Sequence, residues 1–189
     1  MNAPIDISGT QLRTDRLLLR PWRQQDLQDF YEYASVDGVG QMAGWLPHSC
    51  PEETQSILDS FINHKKTFAL AFQGKVIGSL GIETYKEENF PELSFLQGRS
   101  IGYVLSKAYW GRGLMPEALT AVIHYLFESE KLDFLLISHF TWNRQSRRVI
   151  EKCGFTLLRE TTHTTRYDTL EPTREYILYR KDWQTHADT

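Results

Sequence analysis

Gly111, Arg112 and Gly113 place two residues without side chains around a guanidinium, and Leu114, Met115, Pro116 and Glu117 follow at the mouth of an apolar helical pattern. A strand that feeds a helix through such a turn leaves unpaired N–H groups at the helix start, where the macrodipole also favours negative charge. The chemistry offered is anion binding. Two nucleotide motifs fail on spacing, because the turn fits neither GxxxxGK[ST] nor GxGxxG. Pro116 and Glu117 suit a first helical turn, so a plain glycine turn leading into a capped helix accounts for the same residues.

Elements on both sides must hold that turn. "RSIGYVLS" predicts a strand over Ser100–Leu105, and "MPEALTAVIHYLFES" predicts a helix with Leu119, Val122, Ile123 and Leu126 on one face. Upstream, "RLLLRPW" reads as a first strand ending at Pro21. Helices follow in "RQQDLQDFYEYAS", with Leu27, Phe30, Tyr31 and Ala34 in register, and in "PEETQSILDSFINHKK". The run "TFALAFQGKVIGSLGIETY" predicts a hairpin closed at Gln73-Gly74. Downstream come a buried strand, Phe134–Phe140, a short helix in "NRQSRRVIEKCG" with Gly154 at its stop, and a closing antiparallel pair. The expectation is a mixed α/β or α+β domain over residues 1–189, with about seven strands, about four helices, and flexible ends at 1–10 and 184–189.

Bulk properties narrow the partners. Twenty-one Lys and Arg stand against 24 Asp and Glu, a formal net charge of -3 that argues against general nucleic-acid binding. The start has neither a basic nor an apolar leader region, and no apolar run approaches the roughly 18–20 residues of a membrane span, so a cytoplasmic chain is expected. Cys50 and Cys153 make no redox or zinc spacing, and none of the six histidines forms an HxxxH or Cys-His set, so no metal is expected.

"SIGYVLSKAYWGRGLMPEAL" resembles the coenzyme A pyrophosphate loop of the GNAT superfamily of N-acetyltransferases, with Trp110 where Gln or Arg is usual. "LRTDRLLLRPWRQQDLQDFYEY" resembles the opening of the subgroup that includes the ribosomal-protein N-terminal acetyltransferases, and "NRQSRRVIEKCGF" resembles its Asn-x-x-Ser helix. One departure stands out. Met115 is bulky where the family loop ends in Gly or Ala.

The resemblance implies a mostly antiparallel sheet splayed at its centre, with the arm of acetyl-CoA in the gap. Backbone groups of Val104 and Leu105 would pair with the arm, amides from Gly111, Arg112, Gly113, Leu114 and Met115 would hold the pyrophosphate, and Arg112 would add charge. Arg147 or Arg148 would reach the adenosine phosphates. Asn143 would bond the pantetheine, and Ser146 would give the thiolate its proton, although Asn followed by a polar residue three later is also a helix N-cap arrangement. Direct acetyl transfer to an amine needs a base, for which Glu83, His139 and His163 are the candidates. The acceptor would be a protein N-terminus or a small amine. Trp45, Trp142, Phe90 and Phe95 would line its pocket, unless they are core packing, and a homodimer would complete the cleft. The alternative is a catalytically weak CoA-binding or interaction module on the same fold.

Overall fold

At Gln73 and Gly74 the chain turns back on itself, and the apolar runs on either side pair as β3 (Thr67–Phe72) and β4 (Lys75–Glu83), with Phe72 opposite Lys75. Around this hairpin grows a sheet of eight strands. In chain order the other elements are β1 (Leu12–Arg13), β2 (Leu17–Pro21), α1 (Leu27–Ala34), α2 (Pro51–His64), β5 (Gly98–Leu105), α3 (Leu114–Glu128), β6 (Phe134–Phe140), α4 (Arg144–Lys152), β7 (Thr156–Thr164), β8 (Leu170–Tyr179) and α5 (Arg180–Ala187). The computed structural model describes residues 1–187. Strands run β1-β2-β3-β4-β5-β6-β8-β7, and every junction is antiparallel except β5–β6.

Helices cover both faces because both faces are apolar. On one side α3 turns Leu119, Val122, Ile123 and Leu126 onto Leu19, Phe68, Leu80, Ile82 and Ile137, all buried. Each such aliphatic side chain contributes about 1.5–3 kcal/mol on leaving water. On the other side Phe30, Tyr33 and Ala34 of α1 and Leu58 of α2 close over Trp22, Ala69 and Val76. A buried ion pair fixes the entry to α1: Arg20 donates to both oxygens of Asp26, at 2.7 and 2.8 Å, and the Arg23 amide donates to Asp26 at 2.8 Å.

The count of elements exceeds the expectation of seven strands and four helices by one of each. β1 has two residues, too few for any periodicity to register. α5 begins directly after β8 in a polar run, and its Trp183 packs on Phe127 and His124. Ala3 and Ile7 are buried, the Met1 ammonium donates to the Leu96 carbonyl, and Asn2 Nδ2 donates to the Tyr85 carbonyl at 2.9 Å. The expected flexible tail at 184–189 is helical through Ala187. Its last two residues lie outside the described ones.

Candidate active site

β5 and β6 stay paired only from Gly98 opposite Phe134 to Ile101 opposite Ile137. Beyond that the strands part, while β5 keeps its pairing to β4 as far as Leu105 opposite Gly78. Alternation decides which backbone groups face the split. The Ser106 amide donates to Ile77 and the Ile82 amide donates away from β5 to Lys66, so Val104 turns its N–H and C=O toward β4. Tyr103 and Leu105 turn theirs into the gap. Val104 and Leu105 both line the cleft, but the outward pair is Tyr103 and Leu105, and the Leu105 carbonyl already accepts from Trp110 Nε1 at 2.7 Å. Trp110 thus ties the loop to the strand that feeds it.

The cleft has a volume of about 330 Å³ and is walled by the free half of β5, the turn Tyr109–Pro116, the α4 face that carries Asn143, Ser146, Arg148, Val149 and Lys152, and Val39 and Met42 of the link before α2. Gly111 and Gly113 both hold φ +74, in the left-handed region that costs other residues energy, and Gly113 is the N-cap of α3. No side chain caps that helix. Leu114 and Met115 follow; both line the cleft, and both are buried in the core under α3, at 1% and 4% exposure. The bulk of Met115 therefore points away from the turn. Arg112 does so as well: its guanidinium lies over the rings of Tyr109 and Phe72, 5.3 and 5.6 Å from their centroids, outside the set that lines the cleft.

Cations reach the cleft from the opposite wall. Arg148 and Lys152 stand four residues apart on one face of α4 and line it, whereas Arg147 is engaged by Glu151 at 2.7 Å. Asn143 is the N-cap of α4, and its Oδ1 accepts from the Ser146 amide at 3.0 Å. Its Nδ2 donates to the Met42 carbonyl at 3.3 Å, which fastens the link to the helix.

Ser146 Oγ lies 2.8 Å from the Tyr103 hydroxyl, which also donates to the Ser146 carbonyl at 3.3 Å. Burial pushes the Tyr103 pKa well up, against the opposing effect of the Ser146 hydrogen bond, so the phenol stays protonated through neutral pH. Sequence reasoning missed Tyr103, Lys152 and Arg16. The first two carry a signal, since Tyr103 alternates with Ile101 and Leu105 toward the helix-covered face and Lys152 repeats Arg148 at i+4. Arg16 carries none, because its partners lie about a hundred residues away.

Glu83 ends β4 opposite Ser100, and Ser100 stands opposite Leu136, so Glu83 shares a face with Ser100, Gly102 and Ser138 at the point where the strands part. That face is the one away from α3. Gly102 and Ser138 are exposed there, and a Cβ at Gly102 would meet nothing within 4 Å. The Glu83 carboxylate is paired with Lys66 and is not part of the cleft wall. His139 is buried, with Nδ1 2.7 Å from the Phe140 carbonyl and Nε2 3.1 Å from the Tyr176 hydroxyl, and burial lowers its pKa. It has the contacts of a structural residue. His163 lies on exposed β7, its ring 6.1 Å from that of Phe140.

The aromatic candidates divide. Phe90 is buried against Tyr85 under the Arg159 guanidinium, and Phe95 projects into solvent at 94% exposure. Trp45 packs on His48 at 5.0 Å between ring centroids. Trp142 is 45% exposed beside Asn143, stacked on Phe140, with its Nε1 donating to Glu171 at 2.9 Å. Among the described residues no group of three or more His, Cys, Asp and Glu could hold a metal ion, and no helix is long and apolar enough to cross a membrane.

An apolar slot beside an unpaired strand edge, free amides at a helix start and two cations opposite fit an acyl carrier with an amide-bearing arm and a pyrophosphate. Comparison with known proteins agrees. The sequence matches the family described as "Acetyltransferase (GNAT) domain" over residues 16–156. It is 24% identical to the [ribosomal protein uS5]-alanine N-acetyltransferase of Escherichia coli (strain K12), over 97% of this chain and 91% of that one. A GNAT-family acetyltransferase from Bacillus anthracis shares the fold with a TM-score of 0.79 at 20% identity, over 91% of this chain and 99% of that one. The microcin C7 self-immunity acetyltransferase, solved in complex with acetyl-CoA and AMP, does so with a TM-score of 0.73 at 16% identity, over 88% and 93%. From the parted strands, the loop between them and a family match over most of its length, the chain belongs to the GNAT acetyltransferases, enzymes that take acetyl-CoA as co-substrate.

Proposed function

We propose that this acetyltransferase acts on the α-amine of a protein N-terminus, and that Ser146, held by Tyr103, and Glu83 carry the proton transfers. The observation behind the site assignment is the 2.8 Å contact between Ser146 Oγ and the Tyr103 hydroxyl inside the cleft. The acceptor rests on similarity along nearly the whole chain to an enzyme that acetylates a protein's terminal alanine.

Acetyl-CoA supplies an activated acetyl thioester. The N–H and C=O of Tyr103 and the N–H of Leu105 hold the arm beside β5, and the β5 edge supplies N–H donors for charge that develops on the thioester oxygen. The amides from Gly111 to Met115 take the pyrophosphate, with Arg148 and Lys152 adding positive charge, and Asn143 holds the pantetheine at the head of α4. The amine must arrive neutral. Glu83, at the parting of the strands on the exposed face, takes its proton directly or through a water. When the C–N bond forms and the C–S bond breaks, Ser146 gives its hydroxyl proton to the thiolate sulfur while the Tyr103 hydroxyl, which keeps its own proton, holds Ser146 Oγ by a hydrogen bond. Ser146 regains a proton from solvent, to which Glu83 returns the amine proton, so neither an alkoxide nor a phenolate is left.

Peptides that begin with Ala or Ser test the acceptor against the same peptides with a blocked terminus and an internal lysine. Turnover on the free terminus alone is expected. Turnover on lysine or small amines alone overturns this acceptor. For the proton path, S146A and Y103F should each lower kcat on the order of 100-fold, within the usual range for general acid catalysis, with acetyl-CoA affinity retained. The non-catalytic alternative rests on Met115, whose side chain is buried in the core, and on the lack of one evident base among Glu83, His139 and His163.

A further inference from the structure

Glu117 lies in the first turn of α3, where an acid ordinarily reaches back to the free amides of its own helix. It reaches outward instead. Oε1 accepts from Thr14 Oγ1 at 2.5 Å and from the Arg16 amide at 3.0 Å, and Oε2 accepts from Arg16 Nε at 2.7 Å and pairs with Nη2 at 2.6 Å. Arg16 Nη1 meanwhile donates to the Arg112 carbonyl at 2.9 Å, between the two glycines of the turn. Thr14 is itself held, since its Oγ1 accepts from the Leu17 amide at 2.9 Å. Burial pushes the Glu117 pKa up, but hydrogen bonds from Thr14 and Arg16 and the Arg16 charge outweigh it and hold the carboxyl below its usual range. None of Thr14, Arg16 and Glu117 lines the cleft.

A carboxylate free to fold over the start of α3 would occupy the amides that a pyrophosphate needs and would repel its charge. The turn between β1 and β2 removes it. We propose that Arg16, seconded by Thr14, is a positioning residue for the cofactor loop: it draws Glu117 away from the α3 amides and fixes the Arg112 carbonyl from behind. This rests on the assignment of the Gly111–Met115 amides to the pyrophosphate. It makes the β1–β2 turn, remote in sequence, part of what sets affinity for the phosphate half of the ligand and leaves the pantetheine half untouched.

Two ligands separate those halves: acetyl-CoA, and S-acetylpantetheine, which has the arm without the pyrophosphate. Calorimetric titration of R16M should show acetyl-CoA bound about tenfold more weakly and S-acetylpantetheine within about twofold of the parent. Because the released carboxylate does the damage, R16M/E117Q should recover to within about threefold of the parent. A purely structural clamp would make the double variant no better than the single. R16K, which keeps the charge opposite Glu117 but offers one donor centre, serves if R16M does not fold and should lose several-fold for acetyl-CoA alone. Equal loss of both ligands, unchanged acetyl-CoA affinity in R16M and R16K, or a double variant no better than the single overturns the inference. A parent protein that binds S-acetylpantetheine as tightly as acetyl-CoA overturns the pyrophosphate assignment itself.

Discussion

Removal of the Asn143 side chain separates its structural from its functional contribution. In N143A the Ser146 amide loses its cap, which costs about 1 kcal/mol, and the part-buried Met42 carbonyl loses its donor, which costs about 0.5–1.5 kcal/mol. The sum is about 2 kcal/mol. For a chain of this length that lowers the unfolding midpoint by roughly 4–8 °C, measured by circular dichroism. The Asn143 bond is also what holds Met42, and with it one wall of the cleft, so acetyl-CoA affinity should fall in parallel. N143D distinguishes the two bonds. It keeps an oxygen for the cap but sets a carboxylate against the Met42 carbonyl, so it should recover about half of the lost stability while still binding acetyl-CoA poorly. If N143A melts within about 1 °C of the parent, the cap and the link contact carry no weight and the reasoning fails.

Other perturbations follow from the same structure. D26A leaves Arg20 buried without its partner and should cost about 3–5 kcal/mol in urea titrations, more than the R20M/D26L pair; equal costs would contradict that. M115A opens a cavity in the core and should cost about 2–5 kcal/mol while leaving acetyl-CoA affinity unchanged; tighter binding would mean that the side chain obstructs the turn. Burial lowers the pKa of both His48 and His139, so the unfolded chain binds their protons first. Stability is then complete above about pH 6.5 and declines below it by up to about 1.4 kcal/mol per pH unit for each residue. Denaturant melts between pH 5.5 and 7.5 should show that slope, and a slope unchanged in H48Q/H139Q would contradict it.

Periodicity exposed the helices that cover the sheet, because Leu119, Val122, Ile123 and Leu126 must all find the core, and it located the hairpin at Gln73 and Gly74. β1 is too short to carry a period, and α5 has little apolar face to betray it. The turn at Gly111–Gly113 was legible for a different reason: left-handed backbone before an apolar helix narrows the residue choice to glycine. Side-chain direction was not legible. Arg112 looked like a phosphate ligand from its place between the glycines, yet its guanidinium lies over the rings of Tyr109 and Phe72, and the cations that line the cleft are Arg148 and Lys152. Met115 looked obstructive because a one-dimensional motif does not tell the inner face of α3 from the outer. Arg16 is the extreme case, since its contacts with Glu117 and the Arg112 carbonyl arise only in the completed sheet.

The claim that the split between β5 and β6 and the turn after it receive acetyl-CoA is tested most directly by thermal unfolding with acetyl-CoA, with ATP and NAD as controls. Ligand at about 100 times its dissociation constant adds about 2.7 kcal/mol, or roughly 5–10 °C for a chain of this size. A shift of that size with acetyl-CoA, and none with ATP or NAD, is the predicted result. No shift with acetyl-CoA, or equal shifts with all three, would contradict it.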